Sequence, residues 1–143
     1  MATTTLKAII DRFQLVIEDE PLSLTQTTQP FTFDVQPNAT VDDRYWVEDG
    51  GLTESESQTN NAEVRMDTLI VWLASRLKLD GQSAQEAMET RLVTLERYLI
   101  ADGAANSYMA TLIGREMRKI DGLDALIASA SFVVDYDYTL STS

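Results

Sequence analysis

Ser75-Arg-Leu-Lys78 has the Ser-x-x-Lys spacing in which a lysine amine deprotonates a nucleophilic serine. The companion Ser-Asp-Asn and Lys-Thr-Gly elements are missing, and the site falls where a predicted strand leaves for a loop, so a solvated strand end is the favoured reading. Asp135 and Asp137 stand two apart on a predicted strand, about 7 Å by strand geometry. With Asp121 or Asp124 they offer the oxygen donors that a hard cation takes. Neither segment has the ligand spacing and glycine of a calcium loop, and no second acid cluster completes a glycosidase or nuclease pair; outward-facing solubilising acids are favoured. Tyr45, Trp46 and Trp72 present aromatic faces for bases, sugars or protein. Core packing is favoured for Trp72, while Tyr45-Trp46 stays open between core and protein interface. Asn38-Ala-Thr40 matches a glycosylation sequon, which means nothing without a secretory signal.

Composition narrows the chemistry further. The chain has no histidine and no cysteine, which removes imidazole bases, thiol nucleophiles, the Ser-His-Asp triad and zinc sites built on those residues. Phosphate-binding loops and dinucleotide fingerprints are absent, so no cofactor and no enzymatic activity are expected. The net charge of −12 repels nucleic acid and anionic lipid on average, and sequence-specific nucleic-acid binding is disfavoured. Between Asp34 and Asp67 nine acids face only Arg44 and Arg65, a net of −7 that holds more than half of the excess. No apolar run reaches the roughly 18–20 residues that span a bilayer. The start, Met1-Ala-Thr-Thr-Thr-Leu-Lys7, lacks the basic and apolar regions of a signal peptide, so a reducing cytoplasm is expected.

The elements that would position these groups follow from periodicity. Leu6, Ile9, Ile10, Phe13, Val16 and Ile17 recur at helical spacing and predict an amphipathic helix from Thr4 to about Asp19, ended by Pro21. Leu22 to Gln29 reads as a linker or a thin edge strand. Phe31, Phe33 and Val35 alternate with Thr32 and Asp34 before Pro37 and predict a short strand; Arg44 to Val47 predicts another. The acidic stretch 49–61 has one large apolar residue, no base and two adjacent glycines, and is expected to be a mobile hairpin loop. Within it Gly50, Gly51, Leu52, Glu54 and Glu56 are the candidate partner-binding residues, with Tyr45 and Trp46 as candidate interface aromatics.

Ala62 to about Leu77 is the longest predicted strand, its second half covered on both faces. Ser83-Ala-Gln-Glu86 spells a capping box; Met88, Leu92, Leu95 and Leu99 continue the helix, and Asp102-Gly103 is its expected stop. A strand from about Gly114 to Ile120 is expected to turn through Asp121-Gly122 into a final strand, where Ala130, Phe132, Val134, Tyr136, Tyr138 and Leu140 alternate with more polar neighbours. The whole of 1–143 therefore reads as one α+β domain, a largely antiparallel sheet with two amphipathic helices packed on it.

This order resembles the tail terminator family of long-tailed phages, the minor tail protein U type. The resemblance rests on the N-terminal helix, the long strand Ala62 to Leu77, the helix Ser83 to Ala101, and the closing stretch Arg115 to Tyr138, with its charged residues, turn, small residues and aromatic-rich strand. It implies a structural virion protein, made in the host cytoplasm and placed in the tail or neck. Such a protein forms a homo-oligomeric ring, usually of six copies, that caps the tail tube, stops its polymerisation and offers the surface to which the head docks. The implied partners are the tail tube protein and the head-tail connector, with DNA passing through an acidic lumen and no membrane involved. Two other readings compete: a different head-to-tail joining (neck) protein, and a small non-catalytic α+β ligand-binding or regulatory protein.

Overall fold

The computed structural model describes residues 3–34, 43–57, 62–76, 81–120 and 125–139. Helix α1 (Leu6–Glu18) opens the chain, with the Thr5 hydroxyl accepting from the Ala8 amide at 3.1 Å and capping the first turn. Strand β1 (Thr25–Gln26) is short; β2 (Arg44–Ser57) and β3 (Ala62–Arg76) are long and antiparallel. Helix α2 (Gly81–Ala105) then leads to β4 (Met109–Ile120) and β5 (Ala125–Thr139). The five strands lie in the order β1-β2-β3-β5-β4, antiparallel throughout except where β1 runs parallel to β2. The protein is thus α+β with a single, mostly antiparallel sheet.

Both helices cover the same face of the sheet. Ile9, Phe13 and Ile17 of α1 and Met88, Leu92, Leu95 and Leu99 of α2 meet Tyr45, Val47, Leu69, Val71, Leu73, Ala128, Ala130, Phe132 and Val134. Phe13 sits at the centre, its ring 5.8 Å from Tyr108 and 5.9 Å from Phe132. Burying each large aliphatic side chain here contributes roughly 1.5–3 kcal/mol. The opposite face carries a smaller cluster of Phe31, Trp72, Ala74, Ala125 and Ile127, which is why β3 and β5 are buried on both sides at this end.

Five expectations about these elements need correction. Residues 31–34 form no strand: the Thr32 hydroxyl accepts from the Asp34 amide at 3.2 Å, a local turn that competes with ladder bonding. The segment crosses the sheet instead as a strap, with Phe33 edge-on to Trp72 at 5.0 Å. The stretch expected as a mobile loop over 49–61 is strand as far as Ser57, paired with β3; residues 58–61 lie outside the described part. Asp49-Gly50-Gly51 marks a bulge rather than a loop. The Asp49 carboxylate accepts from the Gly51 amide at 2.9 Å, and Gly51 takes φ +99°, a conformation that a side chain would strain.

Helix α2 begins at Gly81, so Ser83 lies inside it and is no N-cap, and it runs past Asp102-Gly103 to Ala105. Gly103 is there for clearance: a Cβ on it would meet the Tyr108 carbonyl at 2.6 Å. Strand β4 starts at Met109, five residues before the expected Gly114, because a bulge between Leu112 and Gly114 breaks the alternation without breaking the ladder. The expected turn at Asp121-Gly122 lies outside the described residues, though Ile120 pairs with Ala125 on either side of it. No described helix is long and apolar enough to cross a membrane.

Candidate functional site

The candidate partner-binding residues stand on the β2–β3 hairpin. Gly51 pairs with Thr68, Leu52 with Asp67, Glu54 with Met66 and Glu56 with Val64, with ladder irregularities between Asp49 and Gly51 and between Leu52 and Glu54. Leu52 is 55% exposed, far from the usual fate of a leucine. The side chains of Glu54 and Glu56 lie outside the described part of the structure. Next to Leu52, Asp67 is a buried carboxylate on the core-facing parity of β3 that accepts from the Tyr136 hydroxyl at 2.6 Å. Further along the same face the Arg65 guanidinium lies 3.9 Å over the Tyr138 ring and pairs with Glu63. This ladder of paired polar groups fixes the hairpin's core-side face.

Tyr45 and Trp46 separate. Adjacent positions on a strand point to opposite faces. Tyr45 turns inward, is fully buried, and donates its hydroxyl to Glu18 at the end of α1. It is a core residue and no interface aromatic. Burial, then the Glu18 hydrogen bond, push its phenol well above the ordinary tyrosine range. Trp46 is half-buried on the other face, with its indole N–H donating to the Phe31 carbonyl at 2.8 Å. Trp72 packs under the strap as expected and donates to Glu48 at 2.9 Å.

Between the helices lies a groove of about 680 Å³ lined by Arg12, Leu15, Glu18, Tyr98 and Asp102. Asp102, read from sequence as a helix stop, anchors it: Arg12 donates through Nε at 3.2 Å, Tyr108 through its hydroxyl at 2.9 Å and Asn106 through Nδ2 at 3.1 Å. Desolvation, reinforced by Asp102, raises the Tyr108 phenol far above its usual value. Nothing in the spacing of Arg12 and Asp102, ninety residues apart, announces this pair. For Asp67 a signal existed, since it shares the parity of Leu69, Val71 and Leu73 in an apolar run.

The remaining sequence candidates do not converge. The Ser75 hydroxyl lies 3.5 Å from Asp43, which also holds Arg91 at 2.8 Å, and Lys78 lies outside the described residues. Asp135 and Asp137 sit at the far end of β5 from Ala125, on the face away from the helices, and Asp121 and Asp124 are not among the described residues. Among the described residues no group of three or more acids is placed to hold a metal ion. Asn38 and Thr40 are likewise outside the described part.

The exposed apolar side chains are spread over several places. Leu52 marks the outer edge of β2, while Ile100, Met109 and Ile113 mark the opposite edge, where α2 ends and β4 begins. Leu15 and Tyr98 flank the helix groove. No protein-family model matches this chain, and no curated protein matches it.

Proposed function

We propose that this chain is a structural assembly protein of the tail terminator kind. It works by contact and not by catalysis: a ring of copies caps a tail tube, stops its growth and presents the surface on which a head connector docks. The observation that carries the reading is the placement of exposed apolar side chains on both edges of one sheet, Leu52 on β2 and Met109 and Ile113 on β4. A protomer with contact surfaces at opposite edges takes a neighbour on each side, the head-to-tail arrangement that closes into rings when its rotation allows.

The element order adds support, because the first helix, long central strand, second helix and closing hairpin follow the order of the family that the sequence resembles. The end of the acidic β2–β3 hairpin beyond Leu52, with Glu54 and Glu56, is the element assigned to the tube or connector. Acid-rich walls let DNA slide through a lumen without sticking. On this reading the protein resides in the virion neck after synthesis in the host cytoplasm.

The test is negative-stain imaging of the purified chain with and without polymerising tail tube protein. Rings seated on tube ends, with tubes that stop lengthening, are expected. Tubes that grow unchanged and carry bare ends overturn the terminator role; rings that bind the head connector while tubes keep growing favour another neck protein.

A further inference from the structure

We infer that the outer edge of β2 in one copy docks on the outer edge of β4 in the next, with Leu52 seated in a recess at the end of α2. The inference rests on the self-assembly part of the proposed function and deepens it by naming the two faces that meet. Three independent features of the fold point to a second copy of this chain as the occupant.

The first is charge. Strand β2 carries Glu48, Asp49, Glu54 and Glu56 against Arg44 alone, whereas β4 carries Arg115, Arg118 and Lys119 against Glu116 alone. In a chain of net charge −12, the edge strand β4 is basic, while β2, flanked at its start by the two-residue β1, is acidic. Strand β1 pairs with β2 only at Arg44 and Tyr45, and among the described residues no strand covers the rest of that edge or the outer edge of β4. Complementary edges attract across two copies and repel a copy turned to present the same edge.

The second is shape. A recess of about 390 Å³ opens beside β4, lined by Ile100, Gly103, Ala104, Tyr108, Met109 and Ala110. Following the ladder across the sheet, Leu52 pairs with Asp67, Asp67 with Val134, and Val134 with Ala110. Leu52 and Ala110 therefore share one row and one face, at opposite edges. When the sheet continues from copy to copy in that row, the exposed leucine of one edge arrives at the apolar recess of the other.

The third is the bend of the edges. Strand β2 shifts register between Asp49 and Gly51, beside Leu69 and Thr68, and β4 shifts between Leu112 and Gly114, beside Phe132 and Ser131. Because Leu69 pairs with Phe132, both edges kink at the same level of the sheet. A straight foreign strand fits neither edge along its length; β2 bends a second time just past Leu52, between Leu52 and Glu54. On the face shared with Leu52, Arg115 lies in the row of Val47, with Asp49 in the row between it and Leu52.

The chain contains no cysteine, which makes disulfide trapping clean. Within one copy β2 and β4 are three strand spacings apart, about 14 Å, beyond the roughly 7 Å that a disulfide bridges between Cα atoms. The double variant Leu52→Cys with Ala104→Cys, oxidised at assembly concentration, is expected to give a ladder of covalent multimers that collapses on reduction, and each single variant nothing above a dimer. A second experiment reads polarity: Leu52→Glu and Ala104→Glu, each checked for folding by circular dichroism, are expected to be monomers alone and to form a dimer, and nothing larger, when mixed. A wild type that assembles by mass while the double variant forms no ladder overturns these two faces and leaves self-assembly standing. Charge variants that assemble as the wild type does, or remain monomeric when mixed, also overturn it. A wild type that stays monomeric overturns both the faces and the ring.

Discussion

Arg12 of α1 and Asp102 of α2 are joined through two guanidinium nitrogens, and the same carboxylate takes the Tyr108 hydroxyl, so one acid ties both helices to the start of β4. Asp102 is the buried member, its side chain 9% exposed against 39% for Arg12. Asp102→Ala strands a guanidinium and a phenol and is expected to cost about 3 kcal/mol. Arg12→Ala, partly solvent-screened, costs about 1 kcal/mol. Urea unfolding of both variants, with the helix groove otherwise unchanged, measures the difference.

Replacing a helical glycine by alanine ordinarily stabilises by about 1 kcal/mol. At Gly103 the sign reverses, because the added methyl meets the Tyr108 carbonyl at 2.6 Å and forces the helix end off β4. Gly103→Ala is expected to lose about 1–3 kcal/mol, whereas Gly114→Ala, whose Cβ has nothing within 4 Å, is tolerated. Thermal unfolding of the pair provides the comparison.

Tyr45, Tyr108 and Tyr136 each have a phenol raised above the ordinary 10.0, first by burial and then by a carboxylate partner, respectively Glu18, Asp102 and Asp67. The folded state holds these protons more tightly than the unfolded one. Their contribution is therefore complete below pH 10 and is lost as pH rises above it, since the unfolded chain then binds fewer protons. Stability measured by denaturant is expected to be steady on this account up to about pH 10 and to fall above it. Phenolate absorbance should show the three titrating only with unfolding, and Tyr136→Phe should flatten the decline.

The strap over the second face is held by few groups: Phe33 against Trp72 at 5.0 Å, Arg118 over the Phe33 ring at 4.5 Å, and the Trp46 bond to the Phe31 carbonyl. Phe33→Ala is expected to cost about 1–2 kcal/mol, since the ring is only half-buried. Tryptophan emission is expected to shift to the red as Trp72 meets water. An unchanged spectrum would place the strap elsewhere.

Much of this fold was legible because its amphipathic segments are strong. Ile9, Phe13 and Ile17, or Met88, Leu92, Leu95 and Leu99, leave a helix no other face to bury, and the alternation from Ala130 to Tyr138 admits one strand parity. The misreadings share a cause: glycine and acid signals were local, while their roles were tertiary. Asp49-Gly50-Gly51 has the composition of a loop, yet pairing with β3 holds it in a bulged strand, and Gly103 looks like a stop until Tyr108 is packed against it. Phe31 and Phe33 alternate as a strand would, but their rings serve Trp72 and no ladder. Of the site, Leu52 stands out in the sequence as the one large apolar residue of an acidic stretch, and the structure places it exposed on β2. The recess at the end of α2 and the charge of β4 gain meaning only when the strand order puts β2 and β4 at opposite edges.

The most direct test of the account is the molar mass in solution, measured by light scattering from the lowest detectable concentration to that of assembly. A closed head-to-tail ring stops growing, so the mass is expected to rise from 16.0 kDa to a plateau near an integral multiple of it, about six on the family resemblance. A mass of 16.0 kDa at every concentration would contradict it.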